Sequence, residues 1–374
     1  MQPIIFKVTT TEAINSILPV AAFLASEKAP LPIYGFVLFK MKDGKLYAQA
    51  NTSAHTLTRS VALDGMDLQP DFSICLEAAK LRSILSGLKD GNATMTFTIE
   101  GETAVISAGR SKLKCPCLSA DGYPEPPKVE TAFTVNIEFS KLADLFRRTR
   151  HAIAVNDVRY YLNGLYMNFS NGLLRVVGTD GHRLSSFSLN NLSFDGEVSL
   201  IVPKKLVDLI ASDKSDKGTI RLRADQNMVE LTWGGGQIRG RLIDGRFPDT
   251  ARFFSAKTAL RATIKRDALI QSLARVRSVA DAKTQTIRLS SDGAELKITA
   301  IEGQEVSGED WVSDAVCADS GFPELGINAS YLLDALSGFD DQELQLSQSL
   351  EANYLVLEST SNTAKRDIVM PFRC

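Results

Sequence analysis

A pattern of helix, tight hairpin, second helix and closing strands recurs three times along the 374 residues, at intervals of about 125 residues, so the chain must be read as a repeated domain. Each unit opens on a segment of helical apolar period: TTTEAINSILPVAAFLAS from Thr9, EFSKLADLFRRTRHAIA from Glu138 and IKRDALIQSLARVRSVA from Ile264. Ile14, Ile17, Leu18 and Ala21 mark one stripe, Leu142, Leu145 and Phe146 the second, Leu269, Leu273 and Val276 the third. One stripe per helix predicts one buried face. Strand, turn and strand follow in GFVLFKMKDGKLYAQA, GLYMNFSNGLLRVVG and IRLSSDGAELKITA. Asp43-Gly44, Asn171-Gly172 and Asp292-Gly293 are the pairs that two-residue hairpin turns of positive φ prefer.

A shorter helix comes next in each unit, in LEAAKLRSILSGL, VPKKLVDLIAS and NASYLLDALSG, and strands close the unit. DGYPEPPKVE, Asp121 to Glu130, is rich in proline and turn formers and reads as a linker; DGRFPDTARFFSAK, Asp244 to Lys257, holds the same place one unit later. The limits are then 1–125, 130–250 and 256–374. The predicted fold class is α+β: three copies of a domain of antiparallel sheets with two helices on one face.

Hydrophobic residues at 44% and charged residues at 23% describe a soluble globular chain, and no apolar run approaches the roughly 18 residues a membrane helix needs. Met1 leads into alternating, strand-like residues with no basic segment before an apolar one, so no secretory leader and a cytoplasmic location are expected. Cys75, Cys115, Cys117, Cys317 and Cys374 are few and odd in number, and Cys115-Pro-Cys117 has the wrong spacing for a redox or zinc CxxC, so buried thiols are expected. The net charge of −2 argues against a uniformly basic nucleic-acid binder. Windows over the six helices nevertheless carry about +7, leaving the rest of the chain acidic. A helix-lined basic side would attract phosphates while the acidic remainder repels them.

TDGHRLS gathers Asp180, His182, Arg183 and Ser185 behind a strand. As a catalytic cluster it would need a nucleophile held by a base and an oxyanion hole. No GxSxG, GxxxxGK or HExxH segment occurs, and His55, His151 and His182 are the only histidines, so no enzyme activity, cofactor or metal is expected. Gly181 reads as a turn residue of positive φ, with Leu184 back in a strand. A hydrolase built on Asp180 and His182 stays as a remote alternative.

VRYYLNGL, TDGHRLS, IVPKK, LIDGRFPD, INASYLLDAL and IVMPFR, in that order along essentially the whole chain, resemble the bacterial DNA polymerase III beta subunit, the sliding clamp. The resemblance is strongest in the last two units. In the first, Asn51-Thr52-Ser53 stands where the family often carries Thr-Asp, and CPCLSA at Cys115 is unusual. The resemblance implies half of a six-domain ring: a head-to-tail homodimer that encircles duplex DNA without sequence preference and tethers replicative and repair polymerases. Implied partners are the DNA polymerase III alpha subunit, other polymerases and the clamp loader, held through short hydrophobic peptide motifs. A peptide-binding scaffold that does not encircle DNA is the alternative.

The resemblance also implies three sets of residues. A peptide cleft takes Leu162, Thr179, Gly181, His182, Arg183 and Leu184, then Pro248 and Phe253, then Ile368, Met370 and Phe372; Phe253 replaces a smaller aliphatic, which narrows the pocket. His182 and Arg183 would form its rim. Facing DNA are Lys28, Lys80, Arg82, Arg147, Arg148, Arg150, Lys204, Lys205, Arg275 and Arg277. At the dimer contact, Arg110, Lys112 and Leu113 of one chain meet Val279, Glu305 and Glu309 of the other.

Overall fold

A computed structural model of the chain describes residues 3–24, 31–65, 70–88, 91–213, 218–303, 305–319 and 321–372. Lys28 and Cys374, singled out above, lie outside them. Contacts divide the chain into two compact units, Met1–Phe139 with Lys217–Arg241, and Ser140–Asp216 with Leu242–Cys374.

The first unit is built on one antiparallel sheet of 12 strands, with Ile4–Thr9 at one edge and Phe133–Glu138 at the other. Its middle joins two repeats: His55–Val61 of the first lies against Gly236–Arg241 of the second, with Leu57 opposite Ile238. The opening helix starts where the Thr9 side chain accepts a hydrogen bond from the Glu12 amide at 3.1 Å, the cap that serine and threonine supply at helix starts. From Ala13 to Ile17 it widens into a π turn, the Leu18 amide bonding back to the Ala13 carbonyl. The extra residue rotates the apolar stripe. Ile17 and Ala21 are buried as expected, but Ile14 and Leu18 are only half-buried, and Ala13, Val20 and Phe23 complete the inner face.

The Asp121–Glu130 linker is irregular, as predicted, yet it is tied down. The Tyr123 hydroxyl donates to the Phe36 carbonyl at 3.2 Å and accepts from the Asn51 amide at 3.2 Å, while the Asn51 side chain donates to the Pro124 carbonyl at 2.5 Å. Asn51, the departure from the family pattern, thus anchors the linker. Cys75, Cys115 and Cys117 are free and buried, and desolvation pushes the Cys75 and Cys115 thiols up to about 12, which keeps them unreactive.

The second unit holds a nine-stranded and a four-stranded antiparallel sheet. Here the middle repeat meets the last: Arg183–Leu189 pairs with Lys365–Val369, placing Leu184 opposite Ile368. Helix Arg266–Arg277 buries Leu269, Leu273 and Val276, and Ala329–Ser337 buries Leu332 and Leu336, all in one apolar cluster with the inner residues of both sheets. Leu142, Leu145 and Phe146 of helix Phe139–Thr149 are buried as the period predicts.

Two local expectations are corrected. In the third hairpin Asp292 still pairs with Glu295, so the turn is Gly293-Ala294, with positive φ at the first central position only. Glycine there suits a type II′ turn, whereas Asp43-Gly44 and Asn171-Gly172 have positive φ at both residues. The Asp244–Lys257 linker also contains a short helix, Ala251–Ser255, preceded by a bond from the Ala251 amide to the Asp249 carboxylate at 2.8 Å.

Candidate peptide cleft, basic helix faces and open strand edges

The TDGHRLS hairpin turn is held by its own polar groups. Asp180 accepts from the His182 and Arg183 amides at 2.9 and 3.1 Å and from Arg183 Nε at 3.0 Å; Thr179 Oγ1 donates to the Arg183 carbonyl and accepts from the Gly181 amide. Gly181 has φ +92°, and the nearest atom to a Cβ there is Arg159 Nη1 at 2.9 Å, the far end of a flexible side chain, so conformation rather than space demands glycine. The Arg183 guanidinium reaches Asp334 at 2.5 Å and lies 4.6 Å from the Tyr331 ring centre. Arg183 is therefore a brace between this turn and helix Ala329–Ser337.

Strand alternation sends Ser185 to the opposite face from Leu184. There it accepts from Lys365 Nζ at 2.7 Å and donates to the Arg148 carbonyl at 3.3 Å. Asp180, His182 and Ser185 do not converge, which removes the triad geometry a hydrolase needs. Lys365 and Asp367, each 1% exposed, form a buried ion pair, with His151 Nε2 3.4 Å from the second Asp367 oxygen. Burial alone would raise the Asp367 carboxyl, but Lys365 and His151 hold it below the usual carboxylate range. Replacing Asp367 by alanine leaves the buried Lys365 ammonium with Ser185 but without its counter-charge, and a stability loss of about 3–5 kcal/mol by urea unfolding is expected.

On the Leu184 face a cavity of about 200 Å³ opens in the second unit. Leu162, Thr179, Gly181, Arg183, Leu184, Pro248, Phe253, Ile368 and Met370 line it, nine of the eleven residues expected there. His182 and Phe372 do not. The His182 carbonyl accepts the amide of the lining residue Met370 at 2.9 Å, with its ring against Tyr331, and the Phe372 amide donates to the Gly326 carbonyl at 2.7 Å. Arg159, Tyr161, Asp249, Thr250 and Arg252 also line the cavity. Arg159, Tyr161 and Asp249 lie within the quoted VRYYLNGL and LIDGRFPD segments and Thr250 and Arg252 follow within three residues, which was the available signal. Beside the cavity, two hydrogen bonds from the side chain of the lining residue Arg159 to the half-buried Asp157, at 3.0 and 2.7 Å, hold that carboxyl down at about 2.

The basic side chains divide into two sorts. Lys80, Arg82 and Arg277 are exposed on their helices, and among the described residues no carboxylate lies within ion-pair distance of them. Others are already engaged. Arg147 and Arg148 share Asp144 and Asp340, Arg150 and Lys204 share Asp208, and Arg275 meets Asp310 at 2.7 Å. Arg148, with a side chain 13% exposed and its guanidinium 5.3 Å from the Phe187 ring, is a packing residue rather than an available cation. Lys205 is half-buried on helix Lys204–Ser212.

Each unit also presents an open strand edge. Ser111–Ser119 pairs with Thr103–Ala108 through residues 111–116 but meets Phe72–Glu77 only through 117–119, leaving one side of 111–116 without a strand partner among the described residues. Arg110, Lys112 and Leu113 stand exposed there. In the second unit Glu305–Val312 is an edge of the four-stranded sheet, with Glu305, Glu309, Val306 and Trp311 exposed and Val279 beside it. Glu309 is held by Lys297 at 2.9 Å.

Family models match three consecutive stretches: the N-terminal domain of the DNA polymerase III beta subunit at residues 4–127, its central domain at 136–249 and its C-terminal domain at 251–373. The chain belongs to the DNA polymerase III beta subunit family. Similar curated members are the beta sliding clamp of Pseudomonas putida, 29% identical over 97% of this chain and 98% of that protein, and that of Escherichia coli K12, 28% identical over 92% and 93%. Among solved structures, a DnaN sliding clamp from Pseudomonas aeruginosa bound to griselimycin has a TM-score of 0.86 at 26% identity, covering 99% of both chains. The beta subunit of Thermotoga maritima, at 21% identity and TM-score 0.87 over 99% of both, shares the fold. The three clamp domains, the α+β fold and the role of a non-catalytic DNA sliding clamp agree with the resemblance; a peptide-binding scaffold that does not encircle DNA is not favoured. Among the described residues no cluster of His, Cys, Asp or Glu could hold a metal, and no helix is long and apolar enough to cross a membrane.

Proposed function

We propose that two copies of the chain close head to tail into a ring of six domains, with the limits 1–125, 130–250 and 256–374 in each copy, and that duplex DNA passes through it. The observation that carries this reading is the pair of open strand edges, one basic with Arg110 and Lys112, the other acidic with Glu305 and Glu309. A heterologous contact of unlike edges closes a ring only when the rotation returns to its origin, and two chains of three similar domains satisfy that. Exposed Leu113 on one edge, with Val279 on the other, supplies apolar contact between strands that can hydrogen-bond edge to edge. The mass in solution tests it: a dimer is expected, and a monomer at micromolar concentration would count against it.

A ring holds DNA by topology, so its inner face need attract phosphates only weakly and without reading bases, which permits sliding. Lys80, Arg82 and Arg277 carry this role best, being exposed and, among the described residues, without a carboxylate within ion-pair distance. Arg147, Arg150, Lys204, Lys205 and Arg275 contribute according to how readily they leave their partners. Changing Lys80, Arg82 and Arg277 together to glutamate is expected to lower DNA retention several-fold and to flatten its salt dependence, with the dimer intact by sedimentation. An unchanged salt slope would remove these residues from the DNA face.

The cavity around Leu162, Leu184 and Ile368 is the proposed dock for short hydrophobic peptides of the DNA polymerase III alpha subunit, other polymerases and the clamp loader. It is concave, floored by aliphatic side chains and rimmed by a few polar groups, the pattern of a specific peptide pocket. The proposed place of action is the cytoplasm, where free buried thiols stay reduced.

A further inference from the structure

Strand Lys365–Val369 turns two different rows of side chains to its two faces. Lys365 and Asp367 form the buried ion pair, while Arg366 shares its face with Ile368 and, one step beyond the strand, the adaptable Met370, both of the cavity lining. The neighbouring strand Leu355–Ser359 continues that row: Glu358 lies opposite Arg366 and Val356 opposite Ile368. Both charged side chains are largely buried, and Glu358 Oε1 accepts from Arg366 Nε and Nη2 at 2.8 and 2.7 Å. This pairing fixes the guanidinium plane. Its remaining nitrogen, Nη1, reaches the linker and donates to the Phe253 carbonyl at 3.1 Å and the Phe254 carbonyl at 3.3 Å.

Those two carbonyls need a donor from outside their helix. They lie in the last turn of Ala251–Ser255, where the final carbonyls of a helix have no partner within it. The other hydrogen bonds of this stretch are local: the Phe253 amide goes to the Thr250 carbonyl, the Ala256 amide to the Arg252 carbonyl, Asp249 accepts from the Ala251 amide, and the Ser255 hydroxyl donates to the Ala251 and Arg252 carbonyls. Among the described residues, the two bonds from Arg366 are therefore the hydrogen bonds that tie residues 249–255 to the rest of the chain. Phe254 is gripped by a second arginine, with the Arg175 guanidinium 4.7 Å and that of Arg366 6.0 Å from its ring centre. The tied stretch carries Asp249, Thr250, Arg252 and Phe253, a whole wall of the cavity. A cation at helix-end carbonyls is favourable, and bonds from an ionised donor are about twice as strong as neutral ones.

We propose that Arg366, oriented by Glu358, is a positioning residue for the peptide cleft: it holds the wall of residues 249–253 against the row of Ile368 and so presets the cavity before a peptide arrives. This rests on the peptide-docking reading above. A preset pocket binds without the cost of ordering its own wall, so loosening the wall lowers affinity although Arg366 is not itself part of the lining.

The test uses the full-length protein and a fluorescein-labelled clamp-binding peptide derived from a polymerase. Arg366→Met together with Glu358→Met removes the donor without stranding a carboxylate in the sheet. Fluorescence anisotropy is expected to show this protein binding about tenfold more weakly. Hydrogen exchange read by mass spectrometry should rise over residues 250–256 and stay unchanged in Arg183–Leu189, with the urea midpoint as in the unaltered protein. Arg366→Lys, which keeps the charge but not the fork, should lose only about threefold. Full affinity in the double variant despite raised exchange at 250–256, exchange there that does not rise, or affinity that falls only in step with the urea midpoint each overturns the positioning role while leaving the dock in place. Should the double variant not fold, Arg366→Lys and Glu358→Gln carry the test: both must raise exchange at 250–256 and weaken the peptide, or the assignment falls. No binding by the unaltered protein, in a preparation that still dimerises, overturns the docking reading and this inference with it.

Discussion

Replacement of Arg110 and Lys112 by glutamate is expected to turn the dimer into monomers at micromolar concentration, raising its dissociation constant by about 100-fold or more. The open edge of Ser111–Ser119 would then present like charge to Glu305 and Glu309 at both contacts of the ring, and like-charge juxtaposition at an interface costs several kcal/mol. Sedimentation velocity reads the result directly. Edge charges can also serve only to keep strands from aggregating, and in that case dimer affinity would not change. A chain carrying Glu305→Lys and Glu309→Lys in addition should dimerise again, because both contacts regain unlike edges. Lys297, which holds Glu309 at 2.9 Å, makes Glu305 the stronger of the two partners in that rescue.

Removal of the chain from Met370 onward is expected to weaken peptide binding by about 2–4 kcal/mol, with secondary structure and dimer mass unchanged. The truncation deletes the adaptable wall of the cavity and the bond from the Met370 amide to the His182 carbonyl. A few buried apolar contacts carry most of the energy of such interfaces, so losing one wall is a large fraction of the whole. The strand Lys365–Val369 remains paired on both sides, to Arg183–Leu189 and to Leu355–Ser359, which is why the fold should survive. Calorimetry with a polymerase-derived peptide separates the outcomes. Affinity equal to that of the full chain would place the dock elsewhere.

The buried faces of the helices were legible because a side-chain period of 3.6 is a local property: Leu142, Leu145 and Phe146, or Leu269, Leu273 and Val276, declare it within a few residues. The π turn at Ala13–Ile17 was not, since nothing in AINSI distinguishes a wider turn from a regular one. Strands were visible as alternating runs, but alternation does not name a partner. The pairing of Leu57 with Ile238, and of Leu184 with Ile368, joins segments that lie far apart in the chain and makes neighbouring repeats share sheets. Site residues show the same division. Resemblance brought together three distant stretches, of which the structure places nine residues around one cavity, while His182 and Phe372 are not among its lining. Of the two carboxylates that engage Arg148, Asp144 stands four residues earlier and was legible, whereas Asp340 stands 192 residues further on. Long-range ion pairs leave no local trace in sequence.

Encirclement is the claim on which the rest depends, and retention on DNA of defined topology tests it most directly. The protein would be loaded onto a nicked circular plasmid with its host's clamp loader and ATP, isolated by gel filtration at a salt concentration that removes surface-bound protein, and followed after a single restriction cut. Protein that stays with the circle and leaves once the DNA is linear is the expected result, since a ring held by topology slides off a free end. Equal retention on circular and linear DNA would contradict encirclement and reduce the basic helices to an ordinary binding surface.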